Sequence, residues 1–110
     1  MRTVISSNAD DVARWLRDDA ALVIDVRETD EVDTACVPGA MVMPLSEFNL
    51  QDIPAAHDKR VVFLCGEGVR SASAGQQVLD DGWLPESFFV AGGIQGWARA
   101  GLPMGVGDCG

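Results

Sequence analysis

The chain contains a single histidine, His57, and three cysteines, Cys36, Cys65 and Cys109. The cysteines are spaced 29 and 44 residues apart, with no Cys-x-x-Cys pair. That fits no zinc pattern, so no metal site is expected; no cofactor is expected either. His57 falls in the polar stretch Ala55 to Lys59 and reads as a surface residue. Basic residues are scarce too: 8 against 17 acidic ones, for a net charge of −9. Nucleic acid and anionic membranes attract the opposite sign, which argues against both as partners. No stretch approaches the roughly 20 uncharged apolar residues of a membrane-spanning helix. The longest apolar runs, Ala20–Ile24 and Val61–Cys65, have the length of buried strands. The opening Met-Arg-Thr-Val-Ile-Ser-Ser-Asn offers no long apolar segment and no small-residue cleavage site, so a cytoplasmic location is expected. Internal repeats, linkers and low-complexity stretches are also missing. An odd number of cysteines in such a chain suggests free thiols, and the question becomes which one is activated.

What remains is an ordinary globular composition, 47% hydrophobic and 23% charged, in 110 residues. This suffices for one core and one domain, expected over residues 1–104, with a mobile Gly-rich tail over 105–110. Ser6-Ser7-Asn8-Ala9-Asp10-Asp11 before Val12, Trp15 and Leu16 predicts a capped amphipathic helix. Ala21 to Val26 and Arg60 to Cys65 are continuous apolar runs, the pattern of strands covered on both faces in a parallel sheet. Val37-Pro38-Gly39-Ala40 predicts a turn, Met41 to Met43 a short apolar segment, and Leu45 to Ile53 one or two helical turns. A helix is predicted over Ser71 to Asp80, a strand over Ser87 to Ala91, and a last helix from about Ile94 to Arg99. Trp83 and Trp97 are expected to anchor the core. The alternation predicts an α/β domain with a largely parallel sheet.

The richest segment chemically is Cys65-Gly66-Glu67-Gly68-Val69-Arg70-Ser71. A cysteine at the C-terminal end of a buried strand, before a glycine-bearing loop and a helix, sits where parallel α/β sheets place reactive groups. The glycines let the loop curl so that several backbone N–H groups point inward. The helix start adds partial positive charge. Together these favour a thiolate, an anionic persulfide or a bound oxyanion. Arg70 adds a fixed positive charge with a fork of donors.

This loop resembles the active-site loop of rhodanese domains, and three further segments resemble that family in its order. They are Asp25-Val26-Arg27-Glu28 with Glu31, then Val37-Pro38-Gly39-Ala40 followed by Pro44-Leu45, and finally Gly92-Gly93-Ile94-Gln95-Gly96-Trp97 with Gly101-Leu102-Pro103. The resemblance implies a five-stranded, mainly parallel sheet with helices on both faces. It implies a sulfurtransferase with Cys65 as catalytic residue and Gly66, Glu67, Gly68, Val69 and Arg70 as the persulfide-binding loop. Asp25, Arg27 and Ser71 are implied in support. The partners implied are a small sulfur donor (thiosulfate or a thiol persulfide) and a thiol or cyanide acceptor, with a sulfur-relay protein as a further partner. The alternative is a non-enzymatic sulfur carrier or a protein-binding module of the same fold.

Other features refine this reading. Cysteine phosphatases, a weaker alternative along with arsenate reductases, resemble Cys-x5-Arg, whereas Cys65 and Arg70 form Cys-x4-Arg, a shorter loop that suits sulfur better than a phosphoryl group. Many rhodanese loops carry a basic residue after the cysteine, where this chain has Gly66-Glu67. Facing the mouth, Glu67 would oppose a dianion such as thiosulfate and favour a thiol persulfide as donor. Facing solvent or paired with a neighbouring base, which is the expectation, it would do little. Cys36 stands where the family often has a histidine and is expected to be a packed thiol near a turn. Cys109 is expected to be an exposed bystander or a resolving thiol. Glu31 is expected to pair with Arg27.

Overall fold

A computed structural model describes residues 3–54 and 58–106. The elements run β1 (Ile5–Ser7), α1 (Ala9–Arg17), β2 (Ala21–Asp25), α2 (Thr29–Thr34) and β3 (Met41–Val42). Two 3-10 turns follow, Leu45–Glu47 and Leu50–Asp52, then β4 (Arg60–Leu64), α3 (Val69–Asp80), β5 (Phe88–Val90) and α4 (Gly93–Arg99). The five strands form one sheet in the order β1-β5-β4-β2-β3, every pairing parallel.

The two continuous apolar runs become the central strands β4 and β2, in register with Val23 opposite Val62 and Asp25 opposite Leu64. Val23, Val62, Leu64 and Val90 pack on one face with Ala9 and Val12 of α1 and Trp97 of α4. Ile24, Val61 and Phe63 pack on the other with Ala74 and Val78 of α3 and with Met43 and Ile53. Coverage of both faces is why these strands show no polar alternation. Since all strands run one way, their C-terminal ends collect at one edge, where Asp25 ends β2 opposite Leu64 and Cys65 directly follows β4.

Helix α1 begins as its sequence predicts, with the Asn8 side chain accepting from the Asp11 N–H at 2.8 Å. Asp10 and Asp11 in its first turn and Arg14 and Arg17 in its last complement the helix dipole. Strand β1 just before it is unheralded. It is held at the edge of the sheet by pairing with β5, with Ile5 N–H donating to Ser87 O at 2.9 Å and Ala91 N–H to Ser7 O at 2.8 Å.

Two expectations are corrected here. Trp97 is buried, but Trp83 is 46% exposed; the neighbouring Leu84 takes the place against the core instead. Cys36 is buried, yet it is disulfide-bonded rather than a free thiol. Its backbone is also bridged to Gly105, with Cys36 N–H donating to Gly105 O at 3.0 Å and Gly105 N–H to Cys36 O at 2.8 Å. The chain is therefore held at Gly105, one residue past the expected domain end. Cys109 and the remainder of the expected tail from 107 on, like His57, lie outside the described residues. Among the described residues no helix is long and apolar enough to cross a membrane.

Candidate active site

Strand β4 delivers Cys65 to the C-terminal edge of the sheet, and the thiol is 1% exposed. Gly68 caps α3 in the left-handed region, with φ of 105°. This conformation, strained for any residue with a Cβ, turns the chain so that the first helical turn folds back over the sulfur. The Gly68 N–H then donates to Cys65 Sγ at 3.1 Å and the Ser71 N–H at 3.3 Å, with Ser71 Oγ also 3.3 Å away. Helix α3 starts two residues earlier than the sequence predicts, so Val69 and Arg70 belong to its first turn rather than to the loop. With Cys65 as a thiol, the buried Ser71 hydroxyl accepts from Sγ and donates to Gly68 O at 3.2 Å, which ties the cap together; once the sulfur is ionised the same proton turns to it.

Burial alone would raise the Cys65 thiol. The hydrogen bonds from the Ser71 hydroxyl and from the backbone of Ser71, Gly68 and Glu67 outweigh it, and the net shift is downward from the ordinary cysteine value. The acid limb of Cys65 alkylation by iodoacetamide is therefore expected at lower pH than for an unperturbed cysteine. Ser71→Ala removes a donor to the thiolate while changing little volume. Hydrogen bonds to charged groups contribute about 1.5–3 kcal/mol, so alkylation at neutral pH should slow roughly tenfold. The limb should move toward higher pH. A stopped-flow pH profile of both proteins checks this.

The floor of the loop is held from below by α4. The Ile94 N–H donates to Cys65 O at 2.7 Å and the Gln95 N–H to Gly66 O at 3.3 Å. In front of the sulfur lies an open pocket of about 260 Å³ lined by Glu31, Cys65, Gly66, Glu67, Val69, Arg70 and Gln95. Glu67 is exposed on this lining, and among the described residues no ion pair engages it.

The acidic and basic residues at the strand ends are wired differently from the expected pattern. Glu31 does not pair its side chain with Arg27. Its two carboxylate oxygens each accept from Arg70, at 2.8 Å, and Oε1 also accepts from the Glu28 N–H at 3.2 Å. Bonding to Arg70 holds the Glu31 carboxyl down at about 2, and Arg70 is raised in turn. Stability from this pair is thus present above the ordinary carboxylate range and lost as pH falls through about 2. With both side chains more than a third exposed, water screens most of it. Arg27 is claimed instead by Asp25. This pair is nearly fully buried, at 2.8 Å, with Arg27 Nε also 3.1 Å from Asp25 Oδ1. Arg27 further donates to Ala35 O at 2.6 Å and Glu31 O at 3.4 Å, which satisfies carbonyls at the end of α2. Asp25 and Arg27 hence hold α2, and through it Glu31; their hydrogen bonds do not run to the cysteine loop.

Cys65, the loop from Gly66 to Arg70, and Ser71 thus come together at one place. Glu31 and Gln95 join them in the pocket lining, and no local pattern in the sequence marks either as a pocket residue. Among the described residues no group of three or more metal-ligating side chains occurs.

Residues 8–100 match the family of rhodanese-like domains. A sulfurtransferase of Allochromatium vinosum is 30% identical over 83 residues, 76% of this chain and 77% of that protein. An uncharacterized protein of Synechocystis is 35% identical over 77% of this chain, which spans only 47% of that relative's length. The crystal structure of a thiosulfate sulfurtransferase from Pseudomonas aeruginosa superposes with a TM-score of 0.83 at 29% identity, covering 96% of this chain and 21% of that one.

Proposed function

Since the chain belongs to the rhodanese-like domain family, we propose that it is a sulfurtransferase that carries sulfane sulfur as a persulfide on Cys65. The observation that carries this reading is the cradle of donors around one buried sulfur, the Gly68 and Ser71 N–H groups at 3.1 and 3.3 Å. In the first step the Cys65 thiolate attacks the outer sulfur of the donor. The Sγ–S bond forms, the donor's S–S bond breaks, and its electron pair leaves on sulfite (from thiosulfate) or on a thiolate (from a persulfide). In the second step a nucleophile, cyanide or a thiol, attacks the outer sulfur and the Cys65 thiolate departs. Atoms and electrons balance in both steps without an external oxidant. The helix start and N–H groups stabilise the anion before and after each transfer, and the covalent intermediate divides one difficult exchange into two.

Phosphoryl transfer finds less support. Arg70, which would have to wrap a phosphate, has its guanidinium turned to both oxygens of Glu31. The test is mass spectrometry of the reduced protein after incubation with thiosulfate or a small persulfide. The expected outcome is a gain of one sulfur on the Cys65 peptide, discharged by cyanide and missing in Cys65→Ser. If no donor loads Cys65 in the wild-type chain, the enzymatic reading fails in favour of a protein-fed carrier or binding module.

A further inference from the structure

The pocket in front of Cys65 is polarised in an unexpected sense. A site for the dianion thiosulfate needs free positive charge at its mouth, both to bind the donor and to accommodate the sulfite dianion that leaves. Here the lining carries two carboxylates, Glu31 and Glu67, against one guanidinium, Arg70. That guanidinium is engaged by both oxygens of Glu31, at 2.8 Å each. The clamp is built in. Glu31 is held by the capping box of α2 through the Glu28 N–H, and the end of α2 is held by the buried Asp25–Arg27 pair. Arg70 cannot swing to an incoming anion without breaking a charge-assisted fork. Glu67, exposed on the lining with no ion pair among the described residues, leaves a second negative charge at the entrance. The partial positive charge of α3 is directed at Cys65 Sγ itself, which becomes negative when ionised. The nucleophile is stabilised, but a dianion approaching the mouth is repelled.

Resting on the sulfurtransferase reading of the same site, we propose that Glu31 is a specificity-determining residue. By neutralising Arg70, and together with Glu67, it selects small aminothiol persulfides as donors, R–S–SH with an ammonium on R, and turns thiosulfate away. The pocket, at about 260 Å³, is sized for a small donor. The ammonium meets the Glu31 and Glu67 carboxylates while the outer sulfur meets Cys65. The thiolate attacks that sulfur, the Sγ–S bond forms, and the donor's S–S bond breaks with its electron pair leaving on R–S⁻. The proton of the persulfide stays on the transferred sulfur or passes to water. The product R–S⁻, bearing an ammonium, departs as a zwitterion, so no dianion is ever held against the carboxylates.

The probes are cysteamine persulfide, the persulfide of 3-mercaptopropionate and thiosulfate, with Cys65 loading followed by mass. The proteins are wild type, Glu31→Gln and the double variant Glu31→Gln, Glu67→Gln. Glutamine at 31 can still complete the capping box, which accepts Glu or Gln at that position. Intrinsic leaving-group differences cancel when each donor is compared between proteins. Unit charges a few ångströms apart interact by 1 kcal/mol or more at the surface. The double variant should therefore load roughly tenfold faster with thiosulfate and with the carboxylate persulfide. It should load roughly threefold or more slowly with cysteamine persulfide. These opposite movements should shrink in molar salt, where the screening length falls to about 3 Å. A structural defect would slow all three donors together. Glu31→Gln alone should move each donor in the same sense as the double variant. Movement in one direction for all donors, or no movement, in Glu31→Gln overturns the role of Glu31 while leaving the persulfide reading intact. Failure of every donor to load wild-type Cys65 defeats the persulfide reading instead.

Discussion

Gly93→Ala is expected to cost about 3 kcal/mol or more and to lower the melting temperature by roughly 10 °C or more. Gly93 opens α4 with φ of 59°, and a Cβ built there would lie 2.6 Å from both Gly66 C and Gly66 O, and also against Cys65 O. Those atoms are backbone, which cannot rotate away as a flexible side chain would. The two oxygens are also the acceptors of the Ile94 and Gln95 N–H groups. The added methyl therefore does two things. It strains the left-handed residue by about 1–2 kcal/mol, and it pushes the floor of the cysteine loop off the start of α4. Alkylation of Cys65 should slow along with the loss in stability. Gly101→Ala separates the two contributions, because Gly101 has a similar φ of 73° but no atom within 4 Å of its built Cβ. It should cost only the strain and leave Cys65 reactivity in place. Thermal melts and iodoacetamide rates on both variants check the pair. Equal effects in the two would show that crowding on the loop carbonyls is not what keeps Gly93 a glycine.

This double glycine shows why part of the site is legible in the chain and part is not. Gly92-Gly93 stands out in the sequence, and so does Cys65 between an apolar run and a glycine loop. Both are local patterns, and both lead to the correct place in the fold. The strands β2 and β4 are equally plain, since coverage on both faces leaves no polar residue in their middles. Other features depend on partners far along the chain. Strand β1 is three residues, two of them serine, and exists because β5 offers it a free edge. Trp83 looks like a core residue by type, yet the turn after α3 presents Leu84 inward instead. Glu31 and Arg70 are separated by 39 positions. Among acidic and basic residues of similar exposure, the nearer Arg27 is the natural guess for Glu31. Arg27 is unavailable because Asp25, two residues before it on the strand end, takes its charge in the interior. One buried pair thus decides the pairing of a second, half-exposed one, and that second pair sets the charge of the pocket.

For this reason the other large expected effect lies outside the pocket lining. Asp25→Ala leaves the Arg27 guanidinium buried with its counter-ion gone, and removal of one partner of a buried pair costs about 3–5 kcal/mol. Asp25 has four hydrogen-bond contacts to Arg27, from its N–H, from Nε twice and from Nη2, so the loss should fall at the upper end of that range. Arg27→Met strands the Asp25 carboxylate in the same way and also removes the donors to Ala35 O and Glu31 O. The two single variants differ in what they do to Glu31. In Asp25→Ala the arginine is freed to seek a new carboxylate, and Glu31, whose backbone it already touches, lies within reach. Arg70 would then lose its fork, and thiosulfate loading should rise among the molecules that remain folded. In Arg27→Met no competing cation appears, so the clamp on Arg70 persists as far as α2 does. The double change Asp25→Leu, Arg27→Met removes both charges and should recover much of the stability, since apolar replacement of a buried pair is often neutral. It should not recover all of it, because the carbonyls at the end of α2 stay without their donor. Denaturant melts of the three variants read the stability. Donor selectivity of the folded fractions reads the clamp. A stable Asp25→Ala protein would mean that Arg27 is served by its carbonyl acceptors alone. An unstable one with unchanged selectivity would mean that Arg70 is fixed by Glu31 irrespective of what lies beneath.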